Sequence, residues 1–232
     1  MVTGAAGGYG SAVVAALRRH GCAVLAVARD PSRAGTGEAE PSMAPVHSVQ
    51  ADITTTEYRA RLVEALHGTA WTAVDLVVNA AGVVRFGTEL SVARPEDVLH
   101  SVDVHCVGAL RTVEAVLPWL RRGTGATIVN VTSRHGSLAM AVSGGVPGVP
   151  VSYAYRIAKA AQNMLTACLH QELAPRIRVL AVHPGQLSTG IAPTDADRTP
   201  TQAAADLLAM LESTPHDVSG VFLTAPGRVI PW

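Results

Sequence analysis

Short apolar runs alternate along this 232-residue chain with longer segments in which apolar residues recur at helical spacing. Apolar runs of about four to eight residues, bounded by turn-forming residues, indicate buried strands, and a repeat of three to four residues indicates helices. Strands are predicted near residues 1–3, 22–28, 46–50, 73–79, 126–132, 177–182 and 220–224. Helices are predicted near residues 9–20, 57–67, 95–121, 155–173 and 201–212.

The order of these elements predicts the fold class. Strands that alternate with helices form parallel sheets through right-handed crossovers, with helices on both faces. We therefore predict an α/β fold with a doubly wound parallel sheet of about seven strands flanked by helices. The sequence shows no internal repeat and no linker between domains, so residues 1–232 are predicted to form a single domain.

Two segments depart from this regular pattern. The first strand is nearly missing, because only Met1 and Val2 precede a glycine-containing turn. Three interpretations remain open: a genuinely short strand, a start at the wrong methionine and a loss of upstream sequence. A central strand this short would weaken the sheet. Residues 31–45 are rich in proline, glycine and serine, so we predict a mobile loop there.

The helix predicted at residues 155–173 is amphipathic. Five apolar residues recur at the spacing of one helical face, and we predict that this face packs against the core. The five residues are Ile157, Ala161, Met164, Leu165 and Cys168.

Charge and composition argue against several classes of protein. Lysine plus arginine and aspartate plus glutamate number 18 each, so no strong field favours a nucleic acid or an anionic membrane. No apolar run approaches the roughly 20 residues that span a bilayer. The N-terminal region lacks a basic segment followed by a long apolar stretch, so a secretory signal is not expected.

The three cysteines, Cys22, Cys106 and Cys168, are widely separated and lie in segments that look buried. An odd number without C-x-x-C spacing argues against disulfides and zinc sites and fits a reducing compartment. We therefore predict a cytoplasmic protein without a metal site.

The pair Tyr155 and Lys159 carries the strongest chemical signal in the chain. Residues four apart lie on one helical face about one turn apart, so the spacing places an ammonium near a phenol. A tyrosine with a pKa of about 10 transfers protons poorly near neutral pH, and a nearby cation lowers that pKa by favouring the phenolate. The pair therefore predicts general acid–base chemistry, although an ordinary helix with an exposed lysine has the same spacing.

A glycine-rich segment, Thr3 to Gly10, precedes the first predicted helix. Glycines allow a tight turn and let a phosphate approach backbone N–H groups, while the following helix adds the positive end of its dipole. A glycine cluster alone also suits an ordinary turn. Here a helix and then the strand near residues 22–28 follow it, which is the context that a dinucleotide site requires.

Two apolar strands end in polar residues, Asn79 and Ser133. In open α/β sheets ligands bind outside the carboxyl ends of the strands, so both residues are candidate site residues. Each residue also suits a simple turn.

Taken together, these motifs resemble those of the short-chain dehydrogenase/reductase family, in the same order and over nearly the whole chain. The resemblance implies a Rossmann fold and a nicotinamide cofactor. The matching residues are Thr3, Gly4, Gly8 and Gly10 of the glycine motif, Asn79, Ala81 and Gly82 of N-A-G, Ser133, Tyr155, Lys159 and Pro184-Gly185. Residues 155–164 and the terminal Ile230-Pro231-Trp232 resemble more narrowly the C-factor-like and sniffer-like carbonyl reductase branch.

The resemblance implies roles for individual residues. Ser133 would hydrogen-bond a substrate oxygen, Tyr155 would transfer the proton, and Lys159 would depress the tyrosine pKa and hold the nicotinamide ribose. Asp52 matches an adenine-contacting aspartate, although it also suits the N-cap of the next helix. The implied cofactor-binding residues are Thr3, Gly4, Gly8, Tyr9, Gly10, Arg29, Asp52, Ile53, Asn79, Ala80, Gly82, Tyr155, Lys159, Pro184, Gly185 and Thr189, the last of which matches a threonine that meets the cofactor carboxamide.

One candidate catalytic residue departs from the family pattern. Aligned on Gly108, His105 stands where the family has a catalytic asparagine, whose backbone carbonyl holds a water that leads to the lysine. A histidine keeps that carbonyl and changes the side chain. Two interpretations remain open for His105, a direct proton carrier and a histidine that packs the helix.

The end of the second strand indicates which cofactor is preferred. An acidic residue there hydrogen-bonds a ribose 2′-OH, whereas an arginine accommodates a 2′-phosphate. Ala28 occupies the usual acidic position and Arg29 follows it, with Arg33 close behind, which favours NADP over NAD. Against this, Gly7 stands where many NADP-preferring relatives carry a basic residue, and Asp30 could turn toward the ribose.

We therefore predict an NADP-dependent oxidoreductase of the short-chain dehydrogenase/reductase type, which transfers a hydride between nicotinamide and a carbonyl or alcohol substrate. Two alternatives remain open. One is a cyclase, isomerase or dehydratase that uses the same tyrosine and serine for proton transfer. The other is a signalling or binding protein with a vestigial nucleotide site.

The predicted substrate contacts follow the strand ends and are Arg85, Phe86, His135 and Leu187. Residues 137–152, rich in glycine and proline, would form either a substrate lid or a decorative insertion. Helices 95–121 and 155–173 resemble those that pair across a two-fold axis in the family, so a homodimer or homotetramer is expected. A small-molecule substrate is the only other partner predicted, with no nucleic acid and no membrane.

Overall fold

A computed structural model describes residues 1–33, 43–144, 146, 151–188 and 198–232 of the protein. Within these residues, seven parallel strands form one sheet in the order β3-β2-β1-β4-β5-β6-β7. They are β1 (Val2–Thr3), β2 (Val24–Ala28), β3 (Val46–Gln50), β4 (Leu76–Asn79), β5 (Ala126–Val131), β6 (Ile177–His183) and β7 (Val221–Thr224). This arrangement confirms the predicted α/β class and the doubly wound sheet, in one Rossmann-like unit.

Helices cover both faces of the sheet. They are α1 (Gly8–Arg19), α2 (Tyr58–His67), α3 (Pro95–Val102), α4 (Gly108–Leu120), α5 (Leu138–Val142), α6 (Tyr153–Leu173) and α7 (Pro200–Ser213). One apolar core lies between the sheet and α2, α4 and α6, and a second lies between the sheet and α1 and α7. Buried strands of Val, Ile, Leu and Ala suit this arrangement because the sheet is covered on both sides.

The strand order reverses between β1 and β4, and this switch point positions the site. Thr3 of β1 is paired with Val27 of β2 on one side and with Asn79 of β4 on the other. The carboxyl ends of the three strands therefore lie level with one another. A cleft opens where the connections leave the sheet in opposite directions.

The helix predicted at residues 95–121 is divided by a π-helical segment. Residues Asp103–Val107 form this segment between α3 and α4. Hydrogen bonds in a π-helix span five residues instead of four, so the segment changes which side chains face the sheet. His105 lies in this segment and is turned inward, with 2% of its surface exposed.

The predicted core stripe of the helix at residues 155–173 is wrong. Ile157, Met164 and Cys168 are exposed on α6, with 64% of the Met164 surface accessible, and only Leu165 of the predicted stripe is buried. The buried face of α6 instead combines small and polar residues with leucines. It consists of Ala154, Ala158, Lys159, Gln162, Asn163, Leu165, Thr166, Leu169 and Leu173.

The prediction that all three cysteines are buried is also wrong. Cys22 and Cys168 are exposed, while Cys106 is partly buried, and all three are free thiols. Cys22 lies in the turn before β2 rather than inside the strand, because the strand begins at Val24. Cys168 belongs to the exposed apolar face of α6.

The remaining sequence expectations have mixed outcomes. Strand β1 has the two residues Val2–Thr3, as its shortness in the sequence predicts. Most of the loop predicted at residues 31–45 lies outside the described residues, although Pro31–Arg33 forms a short 3₁₀ helix. None of the helices in the described part of the chain is both long enough and apolar enough to cross a membrane.

Candidate active site

A cavity of about 590 Å³ opens at the switch point, above the carboxyl ends of β1, β2 and β4. Eight of the predicted cofactor residues line it: Thr3, Gly4, Gly8, Arg29, Asp52, Ile53, Ala80 and Gly82. The lining also includes residues that sequence reasoning did not single out, among them Tyr58, Val83, His100 and Val104. A cavity of this size is typical of small-molecule and cofactor sites.

The glycines of the motif allow backbone segments to approach more closely than side chains would permit. Gly4 has φ +65°, and a Cβ there would lie 2.7 Å from the backbone of Ala81. A Cβ at Gly10 would collide with the carbonyl oxygen of Gly4. Helix α1 begins at Gly8, which lines the cavity, so the positive end of its dipole lies beside the cavity, an arrangement that suits a pyrophosphate.

Asp52 lies at the cavity wall and organises a turn. Its carboxylate accepts hydrogen bonds from Thr54, at 2.9 Å from the backbone nitrogen and 2.7 Å from the hydroxyl. These bonds from the Thr54 hydroxyl and backbone lower the pKa of Asp52. Helix α2 begins only at Tyr58, with Glu57 as its N-cap residue, so the alternative that Asp52 caps this helix is wrong.

Two of the predicted cofactor residues face the protein interior instead of the cavity. Tyr9 packs in the core between the sheet and α7, and burial raises the pKa of its phenol. Asn79 is buried at the end of β4, where its amide nitrogen donates to the Asn130 amide oxygen at 2.9 Å. Asn79 thus ties β4 to β5 below the cavity.

Ser133, Tyr155 and Lys159 meet at the end of β5, and His105, which contacts both Tyr155 and the cavity-lining Val83, connects this group to the cavity wall. Ser133 follows β5, and Tyr155 and Lys159 lie on the first turns of α6. The pKa of the Tyr155 phenol is raised by burial, and a side-chain hydrogen bond with Ser133 opposes this effect. The Lys159 ammonium lies 5.8 Å from the centre of the Tyr155 ring.

Lys159 is 4% exposed and is held by neutral acceptors. Its Nζ donates to the carbonyl oxygen of Val131 at 2.7 Å and to Oε1 of Gln162 at 2.9 Å. Burial lowers the pKa of this ammonium to about 7. Close packing of the 3₁₀ turn Arg134–Gly136 helps to exclude water, because a Cβ at Gly136 would lie 2.6 Å from the Lys159 backbone.

The His105 ring also packs against the Tyr155 ring. Its Nε2 lies 2.8 Å from the carbonyl oxygen and 3.2 Å from the backbone nitrogen of Val83, so either neutral tautomer hydrogen-bonds this residue. Burial, with a smaller contribution from Lys159, holds the pKa of His105 well below its ordinary value. Gly82 is required beside this ring, because a Cβ there would lie 2.6 Å from the imidazole. His105 is therefore buried and bound to the loop after β4.

Of the four predicted substrate residues, His135 contacts Tyr155, and the other three have different described partners. His135 stands edge-on to Tyr155, with ring centroids 6.5 Å apart. Phe86 is exposed and forms a β-bridge with Val151, while Arg85 pairs with Asp97 at 3.5 Å. Leu187 is half-buried beside Arg198.

The segment predicted as a lid contains a short helix, α5, and ends at the Phe86 bridge. Residues 145 and 147–150 of this segment lie outside the described residues. The choice between a lid and an insertion therefore stays open.

Pro184 and Gly185 follow β6 at the same edge of the sheet. Gly185 has φ +101°, and a Cβ there would lie 2.8 Å from the Arg198 side chain. Arg198 is held by Asp206 at 2.7 Å. Thr189, predicted to meet the cofactor carboxamide, lies outside the described residues.

Sequence reasoning missed a signal that marks Lys159. Of the 18 lysine and arginine residues in the chain, only residue 159 is lysine. A guanidinium stays charged at all ordinary pH values, whereas a lysine that loses its hydration can titrate near neutrality. The one lysine thus stands where a cation with an adjustable pKa is useful.

The arrangement supports proton transfer beside a bound dinucleotide. The glycine loop and the helix dipole suit the phosphates, and the phenol, hydroxyl and ammonium groups converge at the adjacent strand end. A carbonyl oxygen placed between Ser133 and Tyr155 would meet two hydrogen-bond donors. Such donors stabilise negative charge that develops on oxygen.

The sequence matches the model of a known protein family. The model described as short chain dehydrogenase matches residues 1–199. The C-signal protein of Myxococcus xanthus is 33% identical over 161 residues, which are 68% of this chain and 93% of that protein. The 1-hydroxy-2-glutathionyl-2-methyl-3-butene dehydrogenase of Rhodococcus sp. strain AD45 is 34% identical over 164 residues, 68% of this chain and 69% of that enzyme.

Solved structures share the architecture. The carbonyl reductase Sniffer of D. melanogaster superposes with a TM-score of 0.87 at 22% identity, covering 100% of this chain and 98% of that one. An NADPH-bound carbonyl reductase from chicken fatty liver superposes with a TM-score of 0.86 at 26% identity, with the same coverage. Because the sequence identity to Sniffer is only 22%, that similarity shows a shared fold and nothing more.

Proposed function

Because the chain belongs to the short-chain dehydrogenase/reductase family, and is an NAD(P)-dependent oxidoreductase of that type, we propose that it reduces a carbonyl compound with NADPH. The main observation that supports the proposal is the convergence of Ser133, Tyr155 and Lys159 at the end of β5. When bound, the nicotinamide would supply or accept the hydride. The chain's own residues would manage the charge and the proton on the substrate oxygen.

In this proposal Tyr155 donates its phenolic proton to the carbonyl oxygen, and Ser133 holds that oxygen in place. The positive charge of Lys159 would favour the phenolate that remains, which offsets the effect of burial on the tyrosine pKa. His135 and Phe86 would border the substrate. Residues 137–152 remain either a lid or an insertion.

The preference for NADP rests on the end of β2. Ala28 offers no carboxylate to a ribose hydroxyl, and Arg29 lines the cavity close enough to Asp52 to lower its pKa. Asp30 also lines the cavity, but its carboxylate accepts hydrogen bonds from the Ser32 backbone at 3.1 Å and hydroxyl at 2.6 Å. A guanidinium at this position suits a 2′-phosphate.

We also propose that two copies of the chain pair through α6. Ile157, Met164 and Cys168 form an exposed apolar stripe at helical spacing, and Leu99 of α3 and Leu110 of α4 are also exposed. An exposed apolar helix face of this kind marks an interaction surface, and two-fold symmetric pairing is the commonest way to cover one. The three free thiols fit the cytoplasmic location that forms part of the proposal.

A signalling role is a second candidate, and the observation that favours it is the relative named C-signal. A non-redox enzyme with the same tyrosine and serine is the third. Incubation with NADPH and a panel of aldehydes and ketones separates them. We expect NADPH oxidation with at least one carbonyl; substrate conversion without NADPH consumption would favour the non-redox enzyme, and cofactor binding without any conversion would favour the signalling role.

A further inference from the structure

Lys159 is a buried cation without an ionic partner among the described residues. Five other ionisable side chains lie on the elements packed around it or close to it on α6. His105 faces it from the π-helical segment, His183 from β6, and Tyr155 lies one turn earlier on α6. The adjoining 3₁₀ turn carries Arg134 and His135. Both His105 and His183 are kept neutral by burial, and no described carboxylate contributes to the environment of Lys159.

Gln162 is the side chain that compensates this charge. Its Oε1 accepts from Lys159 Nζ at 2.9 Å, and the second acceptor is the Val131 backbone carbonyl. Gln162 is 1% exposed, and its Nε2 has no hydrogen-bond partner among the described residues. A buried amide with an unpaired N–H is costly, and leucine would fill this core position without that cost.

A polar network holds Gln162 in place. Its backbone carbonyl accepts from the Thr166 hydroxyl at 3.1 Å, and that hydroxyl accepts from the Asn130 amide at 2.9 Å. Asn130 in turn accepts from Asn79 at the end of β4. The Gln162 side chain therefore reaches Lys159 from a helix turn that is fixed to the central sheet.

We propose that Gln162 is a positioning residue that keeps Lys159 charged and aimed at the end of β5, and so sets the pH range in which Tyr155 has a cationic neighbour. The part that concerns Tyr155 rests on the proposed function. The effect of Gln162 on Lys159 does not depend on that function, because it requires only the hydrogen bond between these two side chains.

The direction of each effect follows from the chemistry of the acceptor. A hydrogen bond to the ammonium favours the charged form, so removal of the amide oxygen should lower the pKa of Lys159. A carboxylate in its place would add an opposite charge and should raise that pKa. Since burial already brings this pKa to about 7, both changes act within an accessible pH range.

The single lysine permits a direct measurement. Protein labelled with ¹³Cε-lysine should give one lysine Cε–Hε signal, whose chemical shift reports protonation as the pH is varied. We expect Gln162→Met to lower the lysine pKa by about one pH unit and Gln162→Glu to raise it by a comparable amount. Gln162→Asn, whose shorter amide falls back from the ammonium, should shift it in the same direction as methionine.

Gln171→Glu is the matched control, because it makes the same chemical change on an exposed turn of the same helix, about 13 Å along its axis. It should leave the lysine titration unchanged. The proposal would be overturned if the Lys159 titration curves of all Gln162 variants coincided with that of the unmodified protein. It would also be overturned if Gln162→Met and Gln162→Glu shifted the lysine pKa in the same direction. Circular dichroism identifies a variant that fails to fold, and the remaining two then decide.

The outcome is independent of the proposed function. The titration uses protein without cofactor, so opposite displacements support the role of Gln162 even if no carbonyl is reduced. Where NADPH-dependent turnover is found, its pH profile should be displaced in the same two directions. A turnover profile that ignores both substitutions while the lysine titration moves would contradict the link to Tyr155.

Discussion

The imidazole of His105 stands edge-on to the phenol ring of Tyr155, with centroids 5.6 Å apart and planes at 87°. The same imidazole is bound to the Val83 backbone through Nε2. One side chain thus connects the cavity wall after β4 to the group proposed to transfer the proton. Because its pKa is held low by burial, the ring is a neutral spacer at physiological pH.

His105→Gln and His105→Leu should separate the contact with Val83 from the packing volume. A glutamine amide reaches the position of Nε2, so it should retain the hydrogen bond, whereas leucine fills space and leaves Val83 unpaired. We expect the leucine variant to be about 1–3 kcal/mol less stable than the glutamine variant and to bind NADPH more weakly. Urea unfolding and cofactor fluorescence would measure both effects.

If His105 carries protons, both variants should instead lose turnover to the same large extent. General acid–base catalysis contributes about 10²–10⁴ in rate, which is easily distinguished from a packing defect. Similar stability and cofactor affinity in the two variants would show that the Val83 contact is unimportant.

The fold could be predicted from the sequence because local patterns and global topology agree. The seven strands lie near their predicted positions, and most of the inner ones are largely apolar and buried, as expected for a sheet covered on both faces. The edge strand β3, with the sequence Val-His-Ser-Val-Gln, is mostly exposed. The glycine motif was equally readable, since Gly4 and Gly10 occupy places that exclude a side chain.

The orientation of α6 could not be predicted from its apolar pattern. Met164 and Ile157 look like core residues, but the interior beside them is polar, with Lys159, Gln162 and Asn163 turned inward. The spacing of apolar residues shows that a helix is amphipathic. It does not show which face packs inward when the neighbouring interior is polar. The role of Gln162 was hidden for the same reason, since it depends on a contact with Lys159 in three dimensions.

Arg29→Ala should remove most of the preference for NADPH over NADH. A charge-assisted contact with a 2′-phosphate contributes roughly 1.5–3 kcal/mol, which corresponds to about a ten- to hundredfold loss of NADPH affinity. NADH affinity should change little. Arg94→Ala, at an exposed position outside the cavity lining, is the control. Equal affinity of the unmodified protein for both cofactors would refute the assignment.

Met164→Glu should dissociate the proposed dimer. A charge at the centre of an apolar interface loses hydration without gaining a partner, so association should weaken sharply. Val229→Glu, at another exposed apolar position, should leave the mass unchanged. Light scattering at micromolar concentration provides the measurement, and a monomeric mass for the unmodified protein would exclude this pairing.

The stability of the folded protein should fall as the pH decreases below about 6.5. Burial lowers the pKa of His183 to about 3 and that of His135 to about 4, and it holds that of His105 well below the ordinary value. At these histidines the unfolded chain therefore binds more protons than the native state, so their contribution to the free energy of unfolding is fully present above this pH and decreases below it.

Urea midpoints at several pH values between about 7.5 and about 5, above the carboxylate range, would measure this dependence. His183→Gln removes one titrating group, so its unfolding free energy should vary less steeply with pH. A variant as pH-dependent as the unmodified protein would show that His183 is not kept neutral by the fold.

Tyr155→Phe and Lys159→Ala should impair catalysis in different ways. Removal of the phenolic oxygen keeps the ring against His105, so the fold and NADPH affinity should survive while turnover falls by about 10²–10⁴. Removal of the ammonium should lower turnover as well, because the cation that favours the phenolate is lost. It should also weaken NADPH binding if Lys159 holds the nicotinamide ribose. Fluorescence titration with NADPH and turnover on any accepted carbonyl distinguish the two patterns. Full activity in Tyr155→Phe would remove the tyrosine from the chemistry, and unchanged NADPH affinity in Lys159→Ala would leave the ribose contact without support.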